Sequence, residues 1–584
     1  MTLLAIENLS LSIGETPILK NIGLSIEPGE VLGLVGESGS GKSMTALAIM
    51  RLLPQGARAD GKILFGGENL LDASEEAMCR LRGDDIGMVF QEPMTALNPV
   101  KTIGEQVAEG IRWHTGAGRA EAERRAAQML DRVGLSSAKF PLSRYPHQLS
   151  GGQRQRVVIA IACALKPKLL IADEPTTALD VVLQAQILEL LRELVDENRM
   201  GLLLISHDLA VVTEMSDRIA IMRSGEVLET GETARTLSAQ QHPYTRQLAL
   251  ASTHVPAGRS LPSPLWGGSA IRLSEAKPVS RGGGIRSPAS RLTVSASLRP
   301  LADPPHKGEG RHPLLEVASI TRDYPGPRPS LFSKAKTFRA VDDVSFSLMP
   351  GRSVALVGRS GCGKSTLARL VLALDKATSG TIRFMGKDIT GRPEAELRQA
   401  RRNMQVVFQD PYGSFNPRHR VERLVAEPLS LVEPAPDPLK RRELVAHALH
   451  QVGLKPHDMQ KYPHEFSGGQ RQRLSIARAI ITRPKLVVAD EAVSALDVSI
   501  RAQVLDLFAE LNRTLGIAYL FITHDLTVAR AITDEVLVMH EGRIVERGTT
   551  AGVLDNPQSE AAKALVDAAP DLRRAISHKL REQG

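Results

Sequence analysis

Four short stretches occur twice in this chain, in the same order, and that duplication constrains the fold more than any single motif. Gly36-Glu37-Ser38-Gly39-Ser40-Gly41-Lys42-Ser43 returns as Gly358-Arg359-Ser360-Gly361-Cys362-Gly363-Lys364-Ser365, and Leu149-Ser150-Gly151-Gly152-Gln153 returns as Phe466-Ser467-Gly468-Gly469-Gln470. From there the register is locked: Ser467, Asp490 and His524 follow Ser150, Asp173 and His207 at one constant offset. A repeat this long is a whole domain rather than a solenoid unit, and 584 residues exceed what one core supports. The chain therefore reads as a module fused to a copy of itself, with domains over 1–250 and 314–584 and a linker over 251–313.

Composition bounds the class. Hydrophobic residues at 42% and charged residues at 24% describe an ordinary globular protein. No apolar run approaches the roughly 18 residues that suggest a membrane span, and Met1-Thr2-Leu3-Leu4-Ala5-Ile6-Glu7 lacks a basic n-region, so a cytosolic protein without a secretory signal is expected. Cys79, Cys163 and Cys362 lie far apart and indicate neither a disulfide framework nor a metal cluster. The net charge of +8 is concentrated in the linker, where nine Lys and Arg face three Asp and Glu among many Pro, Gly and Ser. Such a segment buries too little apolar surface to offset its ordering entropy, so it reads as a flexible tether rather than a basic face for nucleic acid.

The chemistry is carried by strand ends. Val31-Leu32-Gly33-Leu34-Val35 is an apolar strand running into the glycine loop, and Ser43 to Leu52 reads as a helix ending before Pro54. Strand, Gly-rich loop and helix are the setting that a phosphate-binding loop requires. Gly36, Ser38, Gly39 and Gly41 let backbone N–H groups face phosphates, Lys42 offsets their charge and Ser43 offers an oxygen to Mg2+. Gly358, Ser360, Gly361, Gly363, Lys364, Ser365 and Thr366 repeat the arrangement after Val354-Ala355-Leu356-Val357. A lone loop of this kind can be a chance glycine turn; two with matched flanks point to ATP.

Leu169 to Asp173 and Leu486 to Asp490 read as buried strands ending in a carboxylate suited to organising Mg2+. Glu174 and Glu491 follow, and the strand period turns them the other way, where they could orient or deprotonate an attacking water. Elsewhere an Asp-Glu pair only marks a strand entering a turn; here it lies downstream of a phosphate loop. His207 and His524 close further apolar strands and are placed to touch a γ-phosphate.

These residues together resemble the ATP-binding-cassette superfamily, over nearly all of 1–250 and 314–550. Ser150, Gly151, Gly152 and Gln153, with Ser467, Gly468, Gly469 and Gln470, match its signature motif; Gln91 and Gln409 match its Q-loop, implying further Mg2+ and nucleotide contacts; Ala178-Leu179-Asp180 and Ala495-Leu496-Asp497 match its D-loop. The resemblance implies an α/β fold with two P-loop nucleotide-binding domains. Each would have a RecA-like core, a helical signature subdomain and an N-terminal antiparallel β portion. It also implies a head-to-tail sandwich in which Lys42 shares an ATP with Ser467, and Lys364 with Ser150. Tyr324 stands where the superfamily stacks adenine, whereas Ile13 takes that place in the first copy. The second copy also reads Glu491-Ala492-Val493-Ser494 against Glu174-Pro175-Thr176-Thr177, so two active but unequal sites are expected.

A narrower resemblance, to ATPases of bacterial dipeptide and oligopeptide importers, rests on Gln91-Glu92-Pro93-Met94-Thr95-Ala96-Leu97-Asn98-Pro99, on Gln409-Asp410-Pro411-Tyr412-Gly413-Ser414-Phe415-Asn416-Pro417 and on His242-Pro243-Tyr244-Thr245-Arg246. It implies two integral-membrane permease subunits and a periplasmic substrate-binding protein as partners. The chain would then sit peripherally on the cytoplasmic face of the inner membrane, without nucleic acid. The competing reading is a soluble tandem ABC ATPase acting on ribosomes or nucleic acid. Ribosomal relatives join their modules by a charged helix and excision-repair relatives carry CxxC zinc pairs, and neither feature is present here.

Overall fold

The structure, a computed structural model, describes residues 2–177, 179–256, 312–326, 337–494 and 496–582. Of the linker read at 251–313, residues 257–311 lie outside the described residues, while Ala251 and Ser252 close the helix Pro243–Ser252.

Each copy is built on a six-stranded sheet. In the first the order is Glu226–Glu232, Arg218–Arg223, Val31–Val35, Gly201–Ser206, Leu169–Asp173, Ile86–Val89, with only the Glu226–Glu232 edge antiparallel. The second copy has the same order: Arg543–Thr549, Glu535–His540, Ser353–Val357, Ala518–Ile522, Leu486–Asp490, Met404–Val407. Parallel strands covered on both faces need apolar residues at every position, which is why Val31–Val35 and Leu169–Asp173 are buried along their whole length. Both carry their chemistry at the C-terminal end of the strand, where open parallel sheets bind ligands.

A smaller four-stranded antiparallel sheet leads each copy. Leu4–Ile13 lies between Thr16–Ile26 and Ala57–Phe65 in the first, and Leu315–Pro325 between Thr337–Leu348 and Ser379–Phe384 in the second. The helical portions comprise Ile103–Thr115, Arg119–Arg132 and Gly151–Cys163, matched by Val421–Ala426, Pro438–Gln451 and Gly468–Ile480. The helix after the first phosphate loop spans Lys42–Ile49, shorter than the Ser43 to Leu52 reading. It stops because Arg51 turns left-handed, at φ 48°, ahead of Pro54.

The two copies pack against each other through their C-terminal helices. Pro243–Ser252 of the first lies on Val498–Leu515 of the second, and Glu560–Ala568 of the second lies on Val181–Asn198 of the first. A last helix, Leu572–Glu582, then crosses onto Leu209–Met215 and Thr233–Ala239 of the first copy. Leu572 and Ile576 join the first copy's core, Lys579 Nζ donates to the Ser216 carbonyl at 2.7 Å, and His254 meets Asp506 at 2.8 Å. No helix among the described residues is long and apolar enough to cross a membrane.

Candidate active site

The phosphate loops are shaped by glycines that no other residue replaces. Gly41 and Gly363 take φ of 106° and 109°, and a Cβ would stand 2.6 Å from Leu19 Cδ2 in one and 2.3 Å from the Ala340 carbonyl oxygen in the other. Each loop folds around its lysine. Lys42 Nζ donates to the carbonyls of Gly36 at 2.7 Å and Glu37 at 3.0 Å, and Lys364 Nζ to those of Gly358 at 2.6 Å and Arg359 at 3.0 Å. Burial lowers the Lys42 ammonium below its ordinary value, opposed by Glu174, Asp497, Asp173 and Glu37. Three of those acids belong to the first copy and one to the second.

Asp173 ends its strand beside Ser43. Burial raises its carboxyl, and a hydrogen bond from Ser43 opposes the rise. Its Oδ1 is buried without a hydrogen-bond partner among the described residues, which is how a buried acceptor stands when a cation is its intended ligand. Burial likewise raises Asp490, with Glu491 adding to it and Lys364 opposing. No three His, Cys, Asp or Glu side chains among the described residues stand together as a metal cage. The oxygens of Ser43 and Asp173 suit Mg2+, which takes one or two protein ligands and fills its shell with phosphate oxygens and water.

The glutamates are aimed differently from what the strand period suggests. Glu174 and Glu491 lie past the strand ends, and both adopt the left-handed conformation at φ 47°, so the alternation of a strand does not set their direction. That conformation costs a non-glycine residue about 1–3 kcal/mol. It is held by N–H bonds to the next strand, from Glu174 to the Ile205 carbonyl and from Glu491 to that of Ile522, each 2.9 Å.

Thus aimed, each glutamate meets the histidine of its own copy: His207 Nδ1 is 3.2 Å from Glu174 and His524 Nδ1 is 3.2 Å from Glu491. Burial alone would raise the glutamates, but the hydrogen bond and charge of the histidines lower both, Glu174 to about 2. Burial would lower the imidazoles, but the glutamates raise them. In the first copy Gln91 Nε2 and Thr177 Oγ1 also donate to Glu174, each at 2.9 Å. Ser494, at the position of Thr177, donates instead to the backbone carbonyl of Glu491, at 3.0 Å. Gln409 follows the edge strand Met404–Val407, as Gln91 follows Ile86–Val89.

The Ser-Gly-Gly-Gln stretches each begin a 13-residue helix. Ser150 and Ser467 are the N-caps, locked in capping boxes by Gln153 and Gln470, whose side-chain oxygens accept the serine N–H at 3.0 Å. Gln153 and Gln470 thus hold the helix start, while the N–H groups of Gly151, Gly152, Gly468 and Gly469 lie in the first turn, where anions bind. Tyr324 lies near the end of Leu315–Pro325; its hydroxyl donates to Asp375 at 2.6 Å, and the Arg322 guanidinium covers its ring at 4.4 Å. Ile13 ends the matching strand Leu4–Ile13.

Asp180 and Asp497, which join candidate residues Ser38 and Ser360 across the two copies, were not among the candidate site residues. The N–H and hydroxyl of Ser38 both donate to Asp497 Oδ1, each at 2.8 Å, and the Ser360 N–H donates to Asp180 at 2.9 Å. Ser499 adds a hydroxyl bond to Glu37. The Glu37 N–H donates to the Tyr244 hydroxyl at 3.4 Å, giving the His242-Pro243-Tyr244 mark a contact with the phosphate loop. Asp180 and Asp497 are the N-caps of the 18-residue helices Val181–Asn198 and Val498–Leu515. Both aspartates read as part of the D-loop match in the sequence; their reach onto the other copy's phosphate loop does not.

Two parallel-sheet modules, each with a glycine-cradled lysine, a strand-end aspartate and a His-paired glutamate, define a tandem P-loop ATPase. A model of the ABC transporter family matches residues 19–177 and 341–494. The glutathione import ATP-binding protein GsiA of Escherichia coli (strain K12) is 44% identical over 580 residues, 97% of this chain and 89% of that protein. GsiA of Shigella boydii serotype 4 (strain Sb227) matches over the same shares at 44%, and GsiA of Salmonella paratyphi A at 45% over 94% of this chain and 86% of that one. The chain belongs to the ABC transporter family, as an ATP-binding ATPase with two ABC domains fused in one polypeptide.

Proposed function

We propose that this chain is the motor subunit of an importer for peptide-type substrates, a class that takes in dipeptides, oligopeptides and the tripeptide glutathione. The similarity to glutathione import ATP-binding proteins along 97% of the chain supports this reading over a soluble ATPase acting on ribosomes or nucleic acid. The observation that carries the mechanism is the reciprocal pair of contacts between Asp497 and Ser38 and between Asp180 and Ser360. They dock each helix that follows a catalytic glutamate onto the other copy's phosphate loop.

Within each copy the signature helix packs on that same docked helix; a Cβ on Gly469 would stand 2.4 Å from Ile500 Cγ2. Ser467 is therefore carried toward Lys42, and Ser150 toward Lys364, as two composite ATP sites need. Lys42 and Lys364 exchange loop carbonyls for β- and γ-phosphate oxygens, and the first-turn N–H groups of the opposing signature helix complete the cradle. Ser43, Asp173 and Gln91, and Ser365, Asp490 and Gln409, would hold Mg2+, which neutralises phosphate charge. Glu174 and Glu491 position and deprotonate the attacking water, and His207 and His524 steady them. ATP binding favours the docked arrangement and hydrolysis releases it, moving two permease subunits at the cytoplasmic membrane face as substrate arrives from a binding protein.

Uptake into proteoliposomes carrying the chain with its permeases and binding protein tests the proposal. Accumulation of glutathione or short peptides that stops with Lys42→Ala or Lys364→Ala is expected. ATPase activity stimulated by ribosomes and indifferent to permeases would overturn it.

A further inference from the structure

The duplication provides its own control, and one cluster beside the second phosphate loop has no counterpart in the first copy. Tyr324 stands opposite Phe338 in the antiparallel pair Leu315–Pro325 and Thr337–Leu348. Residues directly opposed in such a pair carry their side chains on one face of the sheet. Just past Phe338 the Ala340 carbonyl abuts Gly363, so both aromatics lie next to the loop that cradles Lys364. Phe338 is 61% exposed. Tyr324 is braced: its hydroxyl donates to Asp375 at 2.6 Å, the Arg322 guanidinium lies 4.4 Å from its ring centre, and Arg322 Nη2 reaches Asp375 at 2.8 Å. The first copy has aliphatic residues at all three braced positions. Ile13 stands opposite Thr16, and Leu11 precedes Ile13 as Arg322 precedes Tyr324. Leu53 follows the helix cap Met50 at the same distance as Asp375 follows Leu372. Leu11 belongs to that copy's apolar core, with Ile13 and Leu53 packed against it.

We propose that the Lys364 site takes its nucleotide by base and triphosphate together, the base resting on Tyr324 and Phe338 with Arg322 and Asp375 as positioning residues, while the Lys42 site takes the triphosphate alone. The lysines are cradled alike in both copies, so both sites hold the same charged tail. What differs is a π surface. A ring fixed by a carboxylate at its hydroxyl and a guanidinium on one face loses little further freedom when a base lies against its other face. Phe338, exposed on the same side of the sheet, widens that surface without having to be uncovered first. Every base has a π face, so the platform adds affinity rather than a choice among bases. Ile13 and Thr16 offer no ring, and a base at the Lys42 site finds no stacking partner on that strand pair. The first site is therefore open to nucleoside triphosphates of any base and to inorganic tripolyphosphate.

The inference rests on reading Lys42 and Lys364 as the phosphate-holding lysines of two sites. Its test is equilibrium binding to the full chain, with Lys42→Ala leaving the Lys364 site and Lys364→Ala leaving the Lys42 site. Each is titrated with ATP and with tripolyphosphate, both with Mg2+, by displacement of a fluorescent ATP analogue. ATP should bind about fivefold or more tighter than tripolyphosphate at the Lys364 site, and within about twofold of it at the Lys42 site. Phe338→Ala should weaken ATP at the Lys364 site about two- to tenfold, leaving tripolyphosphate affinity and melting temperature unmoved. Arg322→Leu should likewise lower ATP affinity alone, and Arg322→Lys should restore it. An equal preference for ATP over tripolyphosphate at the two sites, unchanged ATP affinity in Phe338→Ala, or a parallel fall of ATP and tripolyphosphate in Arg322→Leu would overturn the proposal. Undiminished ATP binding with Lys42→Ala and Lys364→Ala combined would instead overturn the site assignment, whatever Phe338→Ala does.

Discussion

Asp497 of the second copy accepts both the backbone N–H and the hydroxyl of Ser38 in the first copy's phosphate loop, each at 2.8 Å. One carboxylate is thus fitted to a loop 459 positions away in the chain. Asp180 makes the reciprocal contact with Ser360, so the fused copies meet through a pseudo-two-fold interface of the kind a symmetric dimer would form. Asp497→Ala should lower ATPase activity by weakening this seating. Charge-assisted hydrogen bonds contribute about 1.5–3 kcal/mol, so a roughly tenfold or larger loss of kcat/KM is expected, with Asp180→Ala behaving alike. Steady-state ATPase measurements check it.

Replacing both carboxylates, Glu174→Gln with Glu491→Gln, should abolish turnover while ATP binding survives, because general-base catalysis contributes about 10²–10⁴ in rate. Retention of ATP by the purified chain together with lost phosphate release is the expected pair of readings.

The histidine–glutamate pairs give pH dependence a definite sign. The histidines are raised above 6.5, so their contribution to folded stability is fully present below that value and is lost as pH rises through the raised one. The glutamates are held below 4.5, so theirs is present above that value and lost as pH falls through the depressed one. The pairs therefore stabilise the nucleotide-free chain most between 4.5 and 6.5. Melting curves across pH should show this gain flattened by Glu174→Gln with Glu491→Gln.

The family resemblance that sets Tyr324 against adenine, with Ile13 in its place in the first copy, predicts unequal affinities. Tyr324→Ala should weaken ATP binding at the Lys364 site about two- to tenfold, from a stacking contribution of roughly 0.5–1.5 kcal/mol. Ile13→Tyr should strengthen binding at the Lys42 site. Titration with a fluorescent ATP analogue measures both.

The crossing helix Leu572–Glu582 is a structural clasp. Leu572, 6% exposed, packs in the core of the first copy although it lies at the end of the second. Leu572→Ala should cost about 2–4 kcal/mol and lower the melting temperature of the first copy in particular. Hydrogen exchange in Leu209–Met215 and Thr233–Ala239 reports the loss locally.

Local chemistry was legible in the sequence wherever it was set by neighbours along the chain. Val31 to Val35 is apolar at every position, and the structure makes it a strand of those bounds; Ser150 with Gln153 carries the capping-box pattern and starts a helix. Glu174 was legible as a residue but not in its direction, because a left-handed φ of 47° beyond the strand end breaks the alternation that the reading used. The cross-copy bonds of Asp497 and the clasp at Leu572 were not legible, since both depend on surfaces brought together by the tertiary fold. Likewise Arg501 reads as an ordinary surface position of an amphipathic helix until Asp525 is placed against it.

We propose that the two copies in one chain complete each other's ATP sites head to tail. The most direct measurement of this pairing is disulfide trapping between Ser38→Cys and Asp497→Cys after Cys79, Cys163 and Cys362 are replaced by serine. An intramolecular crosslink that forms readily with ATP and blocks reopening is expected. Trapping Ser38→Cys with Asp180→Cys of the same chain, or crosslinks only between separate chains, would contradict it.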